Sequence, residues 1–458
     1  MSAHEASHPL GALRAFLTAR RADAPGIRGL VLAHSGGPDS LTLLLAAAQI
    51  APLLGCRLRA LHVHHGLHAD ADAWAAQAMA QAAAVSVPCD VLRVRVPAGA
   101  SIEATARAAR YDALTACLAT DEALLLAHHL DDQAETLLLR LMRGAGLHGL
   151  AGMRPVSAWR APDGRETARW RPWLSLPREA LARWRPRAEA CLRSHDPLMP
   201  AGALDPVHDP ANSDPRFDRT LLRHELLPLL SRRWPEAAGQ LARSARQLAG
   251  QAQALDALAD DWLARAVLPS GALSLPLLTG LDDVTLQAVV SRWLSVRGAP
   301  SLPVRYWSRL RAELLRARAD SLPQLAWAGW SLRRYREAVY LLADASLQAL
   351  PAGGADWPDP RVPLQWAGRE WLAAELVPGL AEDDPRLVLP WRLAPRRGGE
   401  RWRPPGKAHS VSVKHWCQEM GIPPWERGRV VCLWVGEAVL AVVPVSTGDA
   451  GLAASPAP

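Results

Sequence analysis

Between residues 29 and 150 the chain alternates short apolar runs with segments of helical character: Gly29–Ala33, Leu41–Ile50, Arg57–His62, Asp72–Ala84, Asp90–Val96, Glu103–Ala119, Ala123–Ala127 and Glu135–Met142. Parallel strands need a crossover long enough to hold a helix, so this alternation predicts an α/β fold, a doubly wound and mostly parallel sheet. In such sheets ligands bind beyond the carboxyl ends of the strands. Three polar stretches fall there: His34–Ser40 after the first strand, His62–His68 after the second and His128–Glu135 after the fourth.

The first stretch reads His-Ser-Gly-Gly-Pro-Asp-Ser and runs at once into a helix. Loop amides and a helix N-terminus aimed at one point suit an anion such as pyrophosphate. Gly36 and Gly37 let the backbone approach a ligand, and Ser35 and Ser40 add hydroxyl donors. The usual phosphate loop carries a lysine after its last glycine. This chain has no lysine before Lys407, which excludes a Walker-type NTPase or an ordinary protein kinase over most of its length.

His62-Val-His64-His65-Gly-Leu-His68 admits two readings, a metal site and a nucleotide-edge loop. It lacks the aspartate of the HxHxDH pattern of metallo-β-lactamase-like hydrolases. In His128-His129-Leu-Asp131-Asp132-Gln-Ala-Glu135, Asp132 and Glu135 fit a capping box that opens a helix. The same spacing puts both carboxylates on one helix face, where they would receive Mg²⁺ or the amino group of a cationic substrate. Arg107 forms an i, i+4 pair with Glu103; Arg143 precedes Gly144-Ala-Gly146; Arg219 and Arg223 share a helix face near Asp209–Asn212. Each of these arginines reads either as a solvated face or as a phosphate contact.

The formal charge of +7 and a pI near 9.5 favour a polyanionic partner. Arg396, Arg397, Arg401 and Arg403, with Trp402 interleaved, precede Lys407 and Lys414 near the C-terminus, a pattern suited to phosphate contact and base stacking. The six cysteines stand singly, so no zinc ribbon or iron–sulfur cluster is expected and the protein reads as cytoplasmic. No run approaches the ~20 apolar residues of a membrane helix, so no membrane partner is expected; the oligomeric state is left open.

Taken together, Ser35–Ser40 (SGGPDS), His62–Leu67 (HVHHGL), Ser101–Tyr111 (SIEATARAARY), Ala127–Met153 (AHHLDDQAETLLLRLMRGAGLHGLAGM), RRGGER at 396–401 and GIPPWER at 421–427 resemble the tRNA(Ile)-lysidine synthetase family of PP-loop N-type ATP pyrophosphatases. The family's WxEDPSN stretch appears here as Pro206–Asn212, its Arg-Asn pair as Arg219-Thr220 and its RPLL as Arg171–Leu174.

Beyond the sheet, Ala/Leu/Arg-rich helical periodicity predicts a helical domain over 220–350, and Pro and Gly content predicts a linker over 351–361. Short β-like runs predict a small C-terminal α/β module over 362–446, and 447–458 reads as a disordered tail. The resemblance makes 1–219 the PP-loop catalytic domain and has the two later domains contact tRNA. It implies ATP and Mg²⁺ as cofactors, with free lysine and tRNA(Ile) bearing a CAU anticodon as partners. ATP would adenylate O2 of the wobble cytidine, and lysine would then displace AMP. Ser35, Gly36, Gly37, Pro38, Asp39, Ser40, His62 and His65 would bind ATP, with Asp39 at the Mg²⁺ end. Asp39, Asp132 and Glu135 would serve catalysis and lysine recognition. Arg107, Arg143, Arg219, Arg223, Arg401, Lys407 and Lys414 would meet tRNA or phosphate. A thiolating tRNA enzyme, a metallohydrolase and a non-catalytic RNA-binding protein are the rival readings.

Overall fold

The central strand of the first sheet, Gly29–Ala33 (GLVLA), is wholly apolar and almost entirely buried, whereas the strands further out mix arginine and other polar residues with apolar ones. The computed structural model describes residues 8–96, 102–210, 214, 216, 218–318 and 321–445. After α1 (Pro9–Asp23) come β1 (Gly29–Ala33), α2 (Pro38–Leu53), β2 (Arg57–His64), α3 (Ala71–Ala83), β3 (Cys89–Arg93), α4 (Ile102–Ala116), β4 (Glu122–Leu125) and α5 (Leu130–Met142). The strands lie in the order β3-β2-β1-β4-β6-β5, with β5 (Val156–Arg160) and β6 (Glu166–Trp170) added at one edge. All pairs are parallel except β5–β6. The parallel sheet is as expected; the β5–β6 hairpin is an addition, and it closes the edge beside β4.

Both faces are covered. Leu30 and Leu32 pack with α1, α2 and α6 (Arg178–His195), whereas Val31, Leu61 and Leu124 pack with Tyr111 and Leu114 of α4. The order of strand addition reverses at β1, with β2 and β3 on one side and β4 on the other, which makes the carboxyl end of β1 the switch point where a crevice opens.

The chain divides into two compact units at residues 253 and 254, inside the long helix α7 (Ala237–Ala266). The second unit departs from the expected helical domain over 220–350. It contains α8 (Asp283–Val296) but also a four-stranded sheet, ordered β7 (Leu273–Ser274), β10 (Ala338–Ala343), β9 (Trp330–Tyr335), β8 (Gln324–Trp327). Between β8 and β9, Ala328 and Gly329 both have positive φ, 45° and 79°. That is the two-residue hairpin geometry whose twist matches the flanking strands.

The stretch 351–361, expected as a linker, is also corrected. Its β11 (Ala355–Trp357) is an edge strand, and Trp357 is only 2% exposed. Burying an indole anchors a segment that Pro and Gly content alone marks as loose. A small hairpin, β12 (Leu364–Trp366) with β13 (Arg369–Trp371), follows. The C-terminal sheet runs β11-β14-β17-β18-β15-β16, comprising β14 (Trp391–Pro395), β15 (Arg401–Trp402), β16 (Val411–Ser412), β17 (Val430–Val435) and β18 (Ala438–Pro444), with α9 (Val413–Glu419) between β16 and β17. The proposed tail at 447–458, and residue 446 before it, lie outside the described residues.

Candidate active site

The Ser/Gly loop leaves β1 and enters α2 without a spacer. Leu41 N donates to Gly37 O at 2.9 Å, so the helix begins at once, with Pro38 in its first turn. Ser40 Oγ donates to Gly37 O at 3.0 Å and also lies 3.0 Å from Ser35 Oγ, which folds the loop on itself. Gly36 has φ +80°, and a Cβ there would sit 2.8 Å from Val207 Cγ2. Behind it, Gly36 O accepts from Val207 N at 2.9 Å and from Gln81 Nε2 at 3.0 Å. The loop is therefore pinned from its rear while the N-terminus of a 16-residue helix opens forward.

Forward of the loop is a cavity of about 510 Å³. Ser35, Gly37, Asp39, Ser40, His62, His65, Arg107 and Asp132 all line it, so the expected ATP-binding set and one acid of the second cluster converge on one space. Gly36 and Pro38 complete the loop from behind. Tyr111, His128, Arg110 and Asp209 line the same cavity. Sequence reasoning gave Tyr111 and Arg110 no role; their i, i+4 and i, i+3 spacing from Arg107 on α4 was the available signal.

The acidic cluster is organised by a residue the sequence reading left unassigned. His129 is fully buried at the start of α5. Its Nε2 lies 3.6 Å from Asp39 and 3.5 Å from Asp132, and its Nδ1 lies 3.5 Å from Asp131. Burial alone disfavours the imidazolium, but the three carboxylates outweigh it and raise the pKa to about 10. Although its own burial acts to raise it, the Asp39 carboxyl is lowered by His129 first and then by Arg178 and Arg223. One buried cation thus ties the phosphate loop to the first turn of α5. The helix cap differs from the expected Asp132–Glu135 box: Asp132 Oδ2 accepts from His129 N at 3.0 Å, so the box is His129–Asp132. Glu135 is left for another task.

That task is visible in Arg223. Its Nε donates to Glu135 Oε1 at 2.7 Å and its Nη2 to Glu135 Oε2 at 3.1 Å and Asp132 Oδ1 at 3.1 Å. Glu135 is 1% exposed, and burial pushes its carboxyl pKa up despite Arg223 beside it. Arg223 sits in a π-helical turn, Leu222–Leu226, a local geometry frequent at functional sites. In this structure the two carboxylates expected to meet an ammonium group hold a guanidinium of the same chain.

The histidines after β2 do not converge on one point. His62 Nδ1 donates to His34 O at 2.9 Å, and His65 Nε2 accepts from Arg110 Nε at 3.1 Å. His64 lies 3.3 Å from Asp72, and His68 stacks on Trp74. Among the described residues no group of three or more His, Cys, Asp or Glu side chains is arranged to hold a metal ion. Burial lowers His34 and His65 to about 4 and His128 to about 3, the last against the opposing charge of Asp132. These rings are neutral near pH 7.

The remaining basic residues disperse. Arg107 lies over the Tyr111 ring at 5.2 Å, at the cavity wall. Arg219 is half-buried, whereas Arg143 is exposed and pairs with Asp218 at 3.1 Å. In the second unit, Arg401 donates to Ser410 O at 2.7 Å, Lys407 pairs with Glu419 at 2.7 Å and Lys414 is exposed. Of the Asp209–Asn212 motif, Ala211 and Asn212 lie outside the described residues, as does Ser101. No helix of the described residues is long and apolar enough to cross a membrane.

Three family descriptions match along the chain: a PP-loop domain over residues 15–230, a TilS substrate binding domain over 273–340 and a TilS substrate C-terminal domain over 391–458. The tRNA(Ile)-lysidine synthase of Xanthomonas campestris pv. campestris (strain 8004) is 40% identical, covering 90% of this chain and 89% of that protein. The enzyme of the same name from Alkalilimnicola ehrlichii is 40% identical over 92% of this chain and 90% of its own length. That from Ralstonia nicotianae is 41% identical over 91% and 88%. With a lysine-free phosphate loop at the switch point, an acidic cluster facing it and likeness of this extent, the chain belongs to the tRNA(Ile)-lysidine synthase family.

Proposed function

We propose that the protein joins lysine to C2 of the wobble cytidine in tRNA(Ile) with a CAU anticodon, consuming ATP and releasing AMP and pyrophosphate. The observation that carries this reading is that Ser35, Gly37, Asp39 and Ser40 line one cavity with Asp132, and that His129 ties Asp39 to Asp132. Such an arrangement brings an anion cradle and a cation-binding acid within reach of one substrate base. The cradle holds the phosphates of ATP, and the N-terminus of α2 stabilises the charge that develops on the departing pyrophosphate. Cytidine O2 attacks the α-phosphorus, and the activated C2 is then open to the lysine amine, which expels AMP.

Asp39 suits a Mg²⁺ bound mainly by phosphate oxygens, since such an ion needs only one or two carboxylates from the protein. Its carboxyl is 30% exposed at the mouth of the loop and is held ionised by His129. When bound, the ion would neutralise charge on the leaving phosphates. Asp132 and Glu135 recognise the lysine ammonium, and Arg223 keeps their place in the free chain. Arg107, Arg143 and Arg219, with Arg401, Lys407 and Lys414 in the second unit, contact tRNA phosphates. A cytoplasmic location goes with this reading, because ATP, free lysine and tRNA meet there.

The test is incubation with ATP, Mg²⁺, radiolabelled lysine and tRNA(Ile) carrying CAU. Lysine enters that tRNA with stoichiometric AMP release. Absence of incorporation, with turnover instead on a sulfur donor or other tRNAs, overturns the assignment.

A further inference from the structure

The C-terminal sheet carries a second cavity, of about 610 Å³, to which the chemistry above gives no role. Among its lining residues, Asp356, Arg392 and Trp434 form one registered row across three strands, and Trp357 and Trp391 of the neighbouring row also border it. Asp356 of β11 pairs with Arg392 of β14, and Arg392 pairs with Trp434 of β17. Directly opposed residues on neighbouring strands share one face of a sheet and lie within contact distance. The adjacent row, Trp357, Trp391 and Val435, turns the other way into the core, where the two indoles meet edge to face at 5.8 Å. Alternation therefore assigns one tryptophan row to packing and leaves an acid–guanidinium–indole strip on the opposite face.

Two irregularities shape this strip. The β17–β18 register shifts between Leu433 and Trp434, and bulges of this kind re-aim a side chain. Trp434 is half-buried: it packs against the outer cluster around Trp402 and Val413, yet lines the cavity. At the rim, Gly398 N donates to both oxygens of Glu400, at 2.7 and 2.9 Å, and Arg397 N donates to the same carboxylate. Glu400 is thereby occupied within its own loop, and the exposed Arg397 lines the same cavity as Arg392, whose guanidinium lies 3.7 Å from Asp356 and donates to Gly353 O.

We propose that this cavity holds one unpaired RNA nucleotide, its base on Trp434 and its phosphate between Arg392 and Arg397. An aromatic side chain that keeps part of its face in a cavity, with arginines lining the same cavity, is the composition by which proteins take splayed bases from single-stranded RNA. Asp356 supplies an acceptor for an exocyclic amino group. The inference rests on the reading of the protein as a tRNA-modifying enzyme, because tRNA is the RNA that would deliver the nucleotide. Two sources share this chemistry, the single-stranded 3′ end and an unpaired loop.

The test measures the affinity of the full-length protein for tRNA(Ile) with CAU at fixed salt, comparing wild type, Trp434→Ala and Trp434→Phe. Loss of one stacked base predicts a roughly 5- to 100-fold weaker Kd for Trp434→Ala. The loss falls on KM for tRNA rather than on kcat, and phenylalanine restores most of it. Repeating the comparison with tRNA trimmed of its 3′ single strand distinguishes the sources. Non-additive losses identify the 3′ end, and additive losses identify a loop nucleotide. Wild-type binding by Trp434→Ala overturns the inference, as does a phenylalanine variant as weak as the alanine one. Wild type failing to bind tRNA at all would instead overturn the reading on which the inference rests.

Discussion

His129 is the residue on which the site's electrostatics turn. With three carboxylates within 3.6 Å it is a buried cation, whereas His34, His65 and His128 are buried or enclosed without such partners and stay neutral. The two classes act oppositely on stability. Between about pH 4 and 6.5 the unfolded chain binds protons that native His34, His65 and His128 refuse, so native stability is lost as pH falls through this window. For His34 alone, 1% exposed, the shift corresponds to roughly 3 kcal/mol. Native His129 binds a proton that the unfolded chain releases above 6.5, so its contribution is present below 6.5 and is lost as pH rises through about 10. Urea unfolding across pH 4–10 is expected to show a maximum near 6.5. His129→Asn should flatten the alkaline limb and His34→Asn the acid limb; unchanged limbs would refute the assignment.

Asp132 tests the division of labour between the two steps. Asparagine keeps an oxygen to cap α5 but removes the charge. Asp132→Asn is expected to lower kcat/KM for lysine by about 10- to 100-fold, the range for losing a hydrogen bond to a charged group. Pyrophosphate release with tRNA but without lysine should change far less; equal losses would show that Asp132 serves both steps. That Asp132 and Glu135 share one helix face at a strand end was readable from their spacing. That Arg223, 88 residues from Glu135, sits on them was not, because an ion pair across that separation leaves no local pattern.

At the scale of elements, the strand–loop–helix unit β1–α2 depends on one backbone conformation. Gly36→Ala puts a Cβ on a residue with φ +80° and against Val207. The left-handed conformation costs roughly 1–2 kcal/mol for a residue with a Cβ, and the clash adds to it. KM for ATP is expected to rise, and the melting temperature to fall. Adding Val207→Ala should recover the steric part but not the conformational part; complete recovery would show that φ is not limiting. The β1–α5 elements were legible because short apolar-rich runs alternate with longer helical segments at the spacing of βαβ units. The β8–β10 strands were missed because their Ala, Leu and Arg content resembles the helices before them. The turn at Ala328-Gly329 was the overlooked signal. Likewise Pro and Gly in 351–361 suggested a linker, and Trp357 outweighed them by packing on Trp391.

At the scale of the molecule, a net charge of +7 predicts that tRNA affinity falls with salt, linearly in logarithmic coordinates. Lys414→Ala should reduce the slope by roughly 1 if the exposed ammonium displaces one counterion. A titration from low to moderate salt with both proteins checks this, and an unchanged slope removes Lys414 from the interface.

The sequence by itself determined the parallel sheet, the lysine-free phosphate loop and the acids facing it, because each is written in neighbouring residues whose spacing matches a backbone period or a turn. Only the tertiary structure decided what those groups touch. The Asp39–His129 contact, the occupation of Asp132 and Glu135 by Arg223 and the Asp356–Arg392–Trp434 row all join residues far apart in the chain. Burial and strand register create such contacts, and neither quantity is local to a stretch of sequence.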